Sequence, residues 1–569
     1  MSDRLAGGAV AVAERPLVTD APGRAGDGRG GERHGLAGVD GLRVVERHGE
    51  RVGVHRERAG LVGVLVTLRP RRDDCRSLLA VGGIGANGGG SGVVAVGVSG
   101  EFDGAGVEGR EVGGHGVDVA GDGCIHSHLV ARRDGAIPVG RVRKAHRLDD
   151  GRVLGAAAYD MDDGHLILFE ADTVVLAAGG YTSVFSRHSS RDDENTGDGP
   201  ALAYEAGARL MDMEFVQFHP TGMAVDETDP EWAPWAGRLV TEAVRGEGGR
   251  LLNADGERFM EEYSPDQMEL DARDVVARAI AQELREGRGT GNGGVYLDIS
   301  HRDDDYIKSR LPRMYERFMD LGVDITEEPM EVAPTAHYSM GGVDIDFDTG
   351  ETGVSGLYAV GETVAGVHGA NRLGGNSLAE TVAIGALVGD HVAAQVTGDD
   401  RDDALPAGQR AIAEREFRSL QELAASDGDE TPEGLLADLG DLLWEHAGIL
   451  RNEESLSTGL EELHELRERT GNIGVDGDRT SLSFELAVDL FFSLTVAEAL
   501  LLSAHKRDES RGAHYRTDAP SVDPEWRRNI LVDRGDTGLE LTTRGVAEPS
   551  DEVSEAVDVG YELDYHHLE

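Results

Sequence analysis

HGANRLGGNSLAE, residues 368–380, places one arginine and a pair of glycines directly before a helix start. We expect Ser377 and Glu380 to form a capping box, in which the serine accepts a first-turn N–H and the glutamate reaches back. Apolar residues then recur at helical spacing, at Leu378, Val382, Ala386 and Leu387. The helix N-terminus and its glycine loop predict an electropositive anchor, beside which Arg372 can hold a carboxylate through two hydrogen bonds.

Upstream of this loop, GLYAVGE at 356–362 predicts a short buried strand. An isolated arginine is usually an exposed salt-bridge residue. The position of Arg372 between that strand and the helix start favours a ligand-binding role instead.

The composition excludes several classes of protein. The chain has 569 residues, enough for two or three domains, and a formal net charge of -51. Such an acidic surface repels nucleic acid and anionic membranes, so we expect no nucleic-acid partner. It suits a salt-rich cytoplasm, where screening relieves self-repulsion, and we hypothesise a halophilic source.

Cysteine and apolar patterns narrow the classes further. Cys75 and Cys124 are the only cysteines, too few for a disulfide framework or a cysteine-ligated metal cluster, and we expect no metal site. The sequence has no run of eighteen apolar residues and no signal-peptide pattern at its start. We therefore expect a cytoplasmic protein without a membrane span, reaching a membrane only through a partner.

The chain changes character near residue 145. Residues 1–145 carry 19 Arg and 1 Lys against 18 Asp plus Glu, with 33 glycines and one aromatic residue, Phe102. Apolar runs at 61–67 and 92–98 are typical of strands, but helical periodicity is almost absent. The segment is either glycine-rich and flexible or the product of codons read in the wrong frame or strand. Gly83 to Gly88 match G-x-G-x-x-G after a strand-like run, yet no amphipathic helix follows, so we assign these glycines no function.

From residue 147 the sequence becomes regular. Strands are predicted at 148–154, 166–169 and 172–178, the last running into Gly179 and Gly180. NTGDG at 195–199 precedes a predicted helix at 201–208; its glycines and Asp198 either let the backbone approach a ligand closely or form a plain helix cap.

Histidines, acids and arginines then recur in short motifs. A predicted strand, MEFVQFHPTG at 213–222, carries His219, and PTAHYSMGG at 334–342 carries His337; each lone histidine is structural or a ligand-binding residue. TEAVRGEGG at 241–249 and ELDARD at 269–274 bring together acids and arginines, either as solvated charges or ion pairs or as a site; the second begins a helix predicted through Ile280.

Beyond a polar linker near 397–405, helical periodicity dominates. Helices are predicted at 411–425, 431–448, 455–469 and 482–505, in a stretch with few glycines. This composition argues for a separate helical domain. An acidic tail follows ESRGAH, residues 509–514.

Together these motifs resemble the flavoprotein subunits of succinate dehydrogenase and fumarate reductase, of the FAD-dependent oxidoreductase 2 family. EFVQFHPTG, TEAVRGEGG, ELDARD, VYLDIS, PTAHYSMGG, GLYAVGE, HGANRLGGNSLAE and ESRGAHYR follow in the family's order from residue 147 onward, and the acidity looks haloarchaeal. L-aspartate oxidase, a sister family, shares HPTG, the HGANRL loop and ESRG, and stays an alternative. The resemblance does not extend to residues 1–145.

The resemblance implies an α/β FAD-binding, Rossmann-like domain interrupted by an α+β capping domain, followed by a helical domain and a C-terminal segment. The implied boundaries are 1–145 for the anomalous segment in place of the first half of the FAD-binding domain, 146–220 and 336–400 for the rest of that domain, 221–335 for the capping domain, 405–508 for the helical domain and 509–569 for the C-terminal segment.

The resemblance also implies a role for each motif residue. His219, Thr241, His337 and Arg372 would bind the two substrate carboxylates. Arg273 would transfer the proton, connected to solvent through Glu242 and Arg245. The FAD side would consist of Gly179, Gly180, Asp198, Glu362, Asn376, Ser377 and Leu378.

This assignment agrees with elementary chemistry. A dicarboxylate needs cations and neutral donors at both ends, which two histidines, a threonine and an arginine supply. Hydride leaves one methylene carbon for the flavin while a proton leaves its neighbour. An arginine, with a pKa above about 12 in water, serves as the base only in a dry site with acids beside it.

The implied function is succinate oxidation to fumarate, with electrons passing to an iron–sulfur subunit, and through it to membrane anchor subunits. The protein would then lie peripherally on the inner face of the cell membrane. We hypothesise that residues 1 to about 145 are a misread of the gene, whose other frame or strand encodes the missing fingerprint. The alternative is a flavin-free scaffold without catalytic activity.

Overall fold

The computed structural model describes residues 43–47, 50–54, 63–68, 77–79, 125–131, 152–160, 164, 166–170, 173–191, 194–395, 407–535, 538–550 and 554. The glycines at 83–88, the apolar run at 92–98 and the linker near 397–405 lie outside these residues. The predictions made for them therefore stay predictions.

Five of the described strands come before residue 132. They are β1 (Arg43–Arg47), β2 (Glu50–Val54), β3 (Gly63–Leu68), β4 (Ser77–Leu79) and β5 (Ile125–Ala131). β1 pairs antiparallel with β2, and β3 with β4. β3 thus confirms residues 63–67 of the strand predicted at 61–67, while residues 61 and 62 lie outside the described residues.

The next strands lead to the paired glycines. They are β6 (Val153–Asp160), β7 (Leu166–Glu170) and β8 (Val174–Ala177). β5, β6 and β7 form an antiparallel sheet in that order. β8 confirms the strand predicted at 172–178, and its valines are buried, as expected for a strand covered on both faces. The strand predicted at 148–154 overlaps β6 at Val153 and Leu154, and its residues 148–151 lie outside the described part of the chain.

A helix and two strands follow the glycines: α1 (Asp198–Glu205), β9 (Leu210–Met211) and β10 (Val216–Met223). α1 begins three residues earlier than the helix predicted at 201–208, because Gly197, at φ 93°, provides the left-handed turn that starts it. β10 carries the HPTG motif and is buried along its whole length.

Residues 223–332 build a hydrophobic core of their own, from Met223 to Val332. Their elements are α2 (Glu242–Gly246), β11 (Arg250–Leu252), α3 (Met260–Tyr263), α4 (Arg273–Arg285), β12 (Val295–Asp298), α5 (Asp304–Arg310), α6 (Pro312–Asp320) and β13 (Met330–Ser339). The sheet order is β10-β13-β12-β11, antiparallel throughout. We call residues 223–332 the inserted unit. The helix predicted from Glu269 divides into a short 3-10 turn and α4, separated by extended Asp271.

The chain then returns to the first sheet through β14 (Gly342–Val343), β15 (Leu357–Ala359) and α7 (Asn376–Gln395). β15 pairs parallel with β8, giving the order β15-β8-β3-β4. This confirms the buried strand predicted at 356–362. On α7 the apolar Leu378, Val382 and Leu387 are exposed, whereas the buried residues are Glu380, Val388 and Val392.

Four helices follow: α8 (Ala407–Ala424), α9 (Pro432–Ala447), α10 (Glu453–Arg469) and α11 (Leu482–Lys506). The predicted helices agree with them to within a few residues. α9, α10 and α11 pack on one another, and α11 also packs on α1. Their leucines and phenylalanines therefore share a core with residues of the sheet strands β8 and β15.

Among the described residues, α11 alone is long and apolar enough to cross a membrane by length and composition. The most apolar stretch of α11 is 72% buried inside the protein. Core helices with this composition are expected wherever a helix is covered on all sides.

The C-terminal strands β16 (Arg528–Arg534) and β17 (Leu539–Gly545) complete a sheet in the order β14-β9-β16-β17. Arg507, at the end of α11, anchors this segment: its side chain is buried and contacts Glu214 at 2.6 Å and Glu509 at 3.2 Å. A buried arginine needs such paired carboxylates, which explains why the ESRGAH motif lies inside the fold.

Candidate active site

Two histidines from neighbouring strands face each other. His219 lies on β10 and His337 on β13, and their ring centroids are 5.3 Å apart. A register irregularity between His219 and Gly222 interrupts the pairing of these strands. The HPTG and PTAH motifs, which are far apart in sequence, therefore converge at one place.

Both histidines are neutral at neutral pH. Burial, followed by the neighbouring His337 and Arg273, holds the pKa of His219 well below its usual range. Burial, followed by Arg372 and Arg273, lowers the pKa of His337 in the same way. The backbone N–H of Thr221 donates to Nδ1 of His219 at 3.2 Å, so the ring proton of His219 is on Nε2. His219 is thus a hydrogen-bond donor without charge.

Arg372 supplies the fixed positive charge of this cluster. Its side chain is 4% exposed and lies over the ring of Tyr338, 4.5 Å from the centroid. Burial and the nearby Arg273 lower its pKa, which still leaves a guanidinium protonated at neutral pH. Nε of Arg372 is buried and has no hydrogen-bond partner among the described residues. This unsatisfied donor marks a place for an anionic ligand.

Arg273, the first residue of α4, is held by an acid from α2. Its Nη2 and Nε donate to Oε2 of Glu242 at 2.6 and 3.0 Å. Burial raises the pKa of Glu242, but the hydrogen bond and charge of Arg273 outweigh it, so the net shift is downward. Glu242 is therefore a carboxylate, and it balances the charge of Arg273.

Arg245 lies beside this pair, on the same helix as Glu242. It is buried, and its Nη2 lies 4.0 Å from Oε1 of Glu242. Nη1 donates to the backbone carbonyl of Glu269, while Nε and Nη2 have no hydrogen-bond partner among the described residues. Arg273, Glu242 and Arg245 thus form a row of charges within the inserted unit.

Thr241 precedes α2 and is exposed. Its hydroxyl makes no capping bond to the helix that follows. The loop at 368–375 approaches from the other side, because a Cβ added at Gly374 would lie 3.4 Å from Nη2 of Arg273. The residues predicted for carboxylate binding and proton transfer therefore lie on β10, β13, α2 and α4, directly before α2, and in this loop.

The paired glycines after β8 are closely surrounded. A Cβ on Gly179 would lie 2.5 Å from Oδ1 of Asn195, and one on Gly180 would lie 2.6 Å from Oε1 of Glu362 and clash with the Ser339 hydroxyl. The backbone N–H of Gly180 donates to Asn195 at 3.0 Å, and the hydroxyl of Thr363 donates to the carbonyl of Gly179 at 2.9 Å. Gly179, at φ 74°, has a backbone conformation that favours glycine, and an alanine at Gly180 would require the Ser339 and Glu362 side chains to move.

Glu362, which is half-buried, and Asp198, which is buried, are acids near these glycines. Oε1 of Glu362 accepts the backbone N–H of Ser339 at 2.9 Å, yet burial prevails and raises the pKa of Glu362 to about 7. Asp198 is the first residue of α1 and accepts the hydroxyl of Thr196 at 2.6 Å. Glu362 can therefore donate or accept a hydrogen bond near neutral pH.

The predicted capping box is wrong. α7 begins at Asn376, one residue before Ser377, whose hydroxyl lies 3.5 Å from Nη1 of Arg372. The Glu380 carboxylate accepts instead from the hydroxyl of Tyr338 at 2.7 Å and contacts Nε2 of His368 at 2.9 Å. A buried tyrosine and histidine compete for the carboxylate more effectively than an exposed helix end.

The residues present fit the flavin end of FAD. The N-terminal turn of α7 is open, with Asn376 and Leu378 exposed, and its N–H groups suit an electron-rich ring edge. The same region is bordered by the closely surrounded Gly179 and Gly180 and by half-buried Glu362. Among the described residues no group of three His, Cys, Asp or Glu side chains is placed to hold a metal ion.

Two residues of the cluster were not predicted from the sequence. Gln217 accepts from both Arg273 and Arg372, and the Ser189 hydroxyl lies 2.9 Å from Nδ1 of His337. Neither a glutamine inside a strand nor a serine in a serine-rich loop has a charge pattern that signals a site. The only signal in the sequence is the position of Gln217, two residues before His219 and thus on the same face of an ideal strand.

The chain matches models of known protein families. A family model described as the FAD binding domain matches residues 114–378, and one described as the fumarate reductase flavoprotein C-terminus matches residues 436–555. The first match begins upstream of the boundary placed at residue 145. The first match covers the residues that form the cluster, and the second covers the buried C-terminal anchor at Arg507.

Individual proteins show the same similarity. One subunit of the CoM/CoB fumarate reductase of Methanothermobacter marburgensis is 44% identical over 389 residues, 68% of each chain. The succinate dehydrogenase flavoprotein subunit of Rickettsia bellii is 38% identical over 401 residues, 68% of this chain and 65% of the relative. The solved structure of Escherichia coli quinol fumarate reductase aligns with a TM-score of 0.66 and 33% identity, covering 74% of this chain and 72% of the other.

Proposed function

The chain belongs to the family of flavoprotein subunits of succinate dehydrogenase and fumarate reductase, and from this membership and the site geometry we propose that it interconverts succinate and fumarate with bound FAD. The observation that carries the proposal is the convergence of two neutral histidines and two arginines, one of them bound to an acid. Such a set matches a substrate with a carboxylate at each end and a proton to transfer between them.

We propose that His219, His337, Arg372 and Thr241 bind the substrate carboxylates. Neutral histidines donate hydrogen bonds without adding charge, so Arg372 is the fixed cation that orients one carboxylate. Two observations support this assignment. Nε of Arg372 has no hydrogen-bond partner among the described residues, and the hydroxyl of Thr241 makes no capping bond to α2. Binding energy then holds the two methylene carbons in a fixed orientation.

Arg273 is proposed as the proton-transfer residue, with Glu242 and Arg245 as its connection to solvent. Glu242 is 51% exposed at its side chain and contacts Arg273, which is 14% exposed. The carboxylate can therefore exchange protons with water on one side and with the guanidinium on the other. Nε and Nη2 of Arg245 have no hydrogen-bond partner among the described residues, so each can donate to a water molecule in this path.

FAD, when bound, accepts or supplies the hydride. Gly179, Gly180, Asp198, Glu362, Asn376, Ser377 and Leu378 are proposed to hold it. The two glycines let the backbone approach closely, and the N-terminal turn of α7 favours negative charge at the flavin edge. Glu362, with its raised pKa, offers a hydrogen bond in either protonation state.

The domain arrangement is part of the proposal. The inserted unit corresponds to the capping domain expected at 221–335, between two parts of the FAD-binding domain at 146–220 and 336–400. The separate core of residues 223–332 supports this division. The helical domain at 405–508 and the C-terminal segment at 509–569 complete the arrangement, with residues 1–145 in place of the first half of the FAD-binding domain.

An iron–sulfur subunit is proposed as the electron partner, and membrane anchor subunits as its link to the inner face of the cell membrane. The chain has two cysteines, too few to ligate an iron–sulfur cluster of its own. Electrons from reduced flavin therefore need a second protein. A peripheral position at the membrane follows from this partnership.

The test is to purify the whole chain in KCl, record flavin absorbance, and measure turnover of succinate, fumarate and L-aspartate. We expect bound FAD and turnover of succinate and fumarate. Turnover of L-aspartate with oxygen would identify an L-aspartate oxidase instead. Failure to take up FAD would leave the flavin-free scaffold.

A matched pair of variants locates the chemistry. Arg273→Gln should retain FAD and lower kcat at least about a hundredfold, because a glutamine cannot transfer the proton. Arg285→Gln, an exposed arginine on the same helix, should leave kcat unchanged. Equal effects of the two changes would contradict the role of Arg273.

A further inference from the structure

Gln217 lies between the two arginines of the candidate site. Its side chain is 0% exposed, on β10. Oε1 of Gln217 accepts from Nη1 of Arg273 at 3.1 Å and from Nη2 of Arg372 at 3.1 Å. One neutral oxygen thus holds the guanidinium of the inserted unit and the guanidinium of the 368–375 loop.

The orientation of this amide is fixed by its partners. Nε2 of Gln217 donates to the backbone carbonyl of Arg372 at 2.7 Å and to Oδ1 of Asn371 at 2.7 Å. A backbone carbonyl only accepts and a guanidinium only donates, so a flipped amide would lose at least three of the four bonds. Both donor and both acceptor positions of Gln217 are therefore used.

A neutral acceptor suits this position because both neighbours are cations. The charge of Arg273 contributes to the lowered pKa of Arg372, which shows that the two guanidinium groups repel each other. An amide oxygen brings them together without cancelling their charge. A carboxylate at the same place would compete with the carboxylate of the substrate.

The network continues into α4. Asn371, whose Oδ1 accepts from Gln217, donates through Nδ2 to Asp274 at 2.6 Å. Asp274 follows Arg273 on α4 and also accepts from Arg278 at 2.7 Å. Gln217 therefore connects the strand that carries His219 with the helix that carries the proton-transfer arginine.

We propose that Gln217 is a positioning residue that keeps Arg273 and Arg372 at the spacing a dicarboxylate needs. The inference rests on the proposed function, since it concerns the same site. Gln217→Met preserves side-chain length and removes all four hydrogen bonds. The arginines then move apart, and a displacement of about 1 Å is enough to cost about a hundredfold in rate.

Steady-state kinetics of the FAD-loaded chain test this role. Gln217→Met should lower kcat and raise the KM for fumarate, reducing kcat/KM at least tenfold, and by a smaller factor when Arg372→Met is already present. The matched control is Asn253→Leu, which removes another 1% exposed amide with four hydrogen bonds, in the inserted unit. It should leave kcat and KM unchanged. An equal factor for Gln217→Met with and without Arg372 would overturn the proposal.

Thermal unfolding separates this proposal from the proposed function, because it needs neither FAD nor turnover. The shifts in Tm caused by Gln217→Met and Arg372→Met should be non-additive, whereas Asn253→Leu and Arg372→Met should add. Non-additive shifts in a chain without succinate or fumarate turnover would remove the proposed function and leave the positioning. Additive shifts would remove the positioning whatever the activity.

Discussion

The Ser189 hydroxyl can fix which ring nitrogen of His337 carries the proton. The hydroxyl lies 2.9 Å from Nδ1, and the Ser189 backbone N–H donates to the carbonyl of Ala336 at 2.9 Å, which fixes the serine on the strand beside the ring. If the hydroxyl donates, Nε2 of His337 keeps its proton and can donate to a substrate carboxylate.

Replacing Ser189 tests this arrangement. Ser189→Ala should raise the KM for fumarate about tenfold, because a buried acceptor loses its partner and the tautomer is no longer fixed. Ser189→Thr retains a hydroxyl and should restore most of the affinity. Steady-state kinetics at one pH measure both variants, and an unchanged KM for Ser189→Ala would contradict the role.

At this scale the sequence predicted charged and aromatic groups better than neutral ones. Arg372, Arg273 and His219 stand in motifs with paired glycines or acids, and the structure brings them together. Gln217 and Ser189 were missed because their function depends on partners from other elements. A hydrogen bond between residues about 150 positions apart leaves no local pattern in the chain.

Among the elements, the turn after β8 has side chains packed against both of its glycines. Gly180→Ala should lower the molar ratio of bound FAD to protein, because the new Cβ would meet Ser339 and Glu362 on the proposed cofactor side. Absorbance of the purified protein gives this ratio directly. An unchanged ratio of bound FAD to protein in Gly180→Ala would contradict this prediction, because it would show that the turn can move without affecting FAD binding.

Gly385 is the matched control, on α7. A Cβ there has nothing within 4 Å, so Gly385→Ala should keep FAD and stabilise the helix by about 0.5–1 kcal/mol. Denaturant unfolding measures the free energy. Destabilisation by this change would mean that the exposed face of α7 has a partner in solution.

Helices with regular apolar periodicity were predicted well from the sequence. A helix end that depends on competition between side chains was not. The four helices from α8 to α11 follow the predicted ones because their apolar periodicity is regular. The cap of α7 was wrong because Tyr338 and His368, brought in by other elements, bind Glu380. The spacing of residues in the sequence does not show that Tyr338 and His368 contact Glu380.

In the whole molecule, buried carboxyl groups make stability depend on pH. Burial raises the pKa of Glu416 to about 8 from an ordinary value of 4.5, and the pKa of Glu205, Asp212 and Glu362 to about 7. In each case the folded protein binds the proton more tightly than the unfolded chain does. These groups therefore destabilise the fold increasingly as pH rises from about 5 to about 8.

Glu416→Gln isolates one of these contributions. The variant should match the parent near pH 4.5 and be more stable near pH 8.5, by an amount on the order of 2 kcal/mol. Denaturant unfolding at both pH values measures the difference. Glu422→Gln, an exposed residue on the same helix, should show no such dependence. Equal stability of Glu416→Gln and the parent at pH 8.5 would contradict the prediction.

The net charge of -51 predicts a salt requirement. Between about 0.1 M and about 2 M KCl the Tm should rise, because the screening length falls from about 10 Å to a few ångströms and the acidic surface repels itself less. Sorbitol, which adds no ions, separates screening from solute exclusion. A Tm that does not change with KCl would remove the halophilic hypothesis.

The division of the chain near residue 145 came from composition alone. Because the FAD-binding match begins at residue 114, part of the segment below that boundary resembles the family. The glycines at 83–88 lie outside the described residues, so the gene-misreading hypothesis stays a prediction. Translating the other frames and the opposite strand tests it, and the absence of a strand, G-x-G-x-x-G and helix there would remove it.

The buried apolar helix α11 has a consequence for how the chain is made. Its 25 residues, Leu482–Lys506, have the length and composition of a membrane span. The helices it packs on, α1, α9 and α10, all precede it in the chain. During synthesis they leave the ribosome first, so α11 emerges next to a surface that is ready to cover it. The order of translation therefore favours docking of α11 within the protein over its capture by a membrane-insertion pathway.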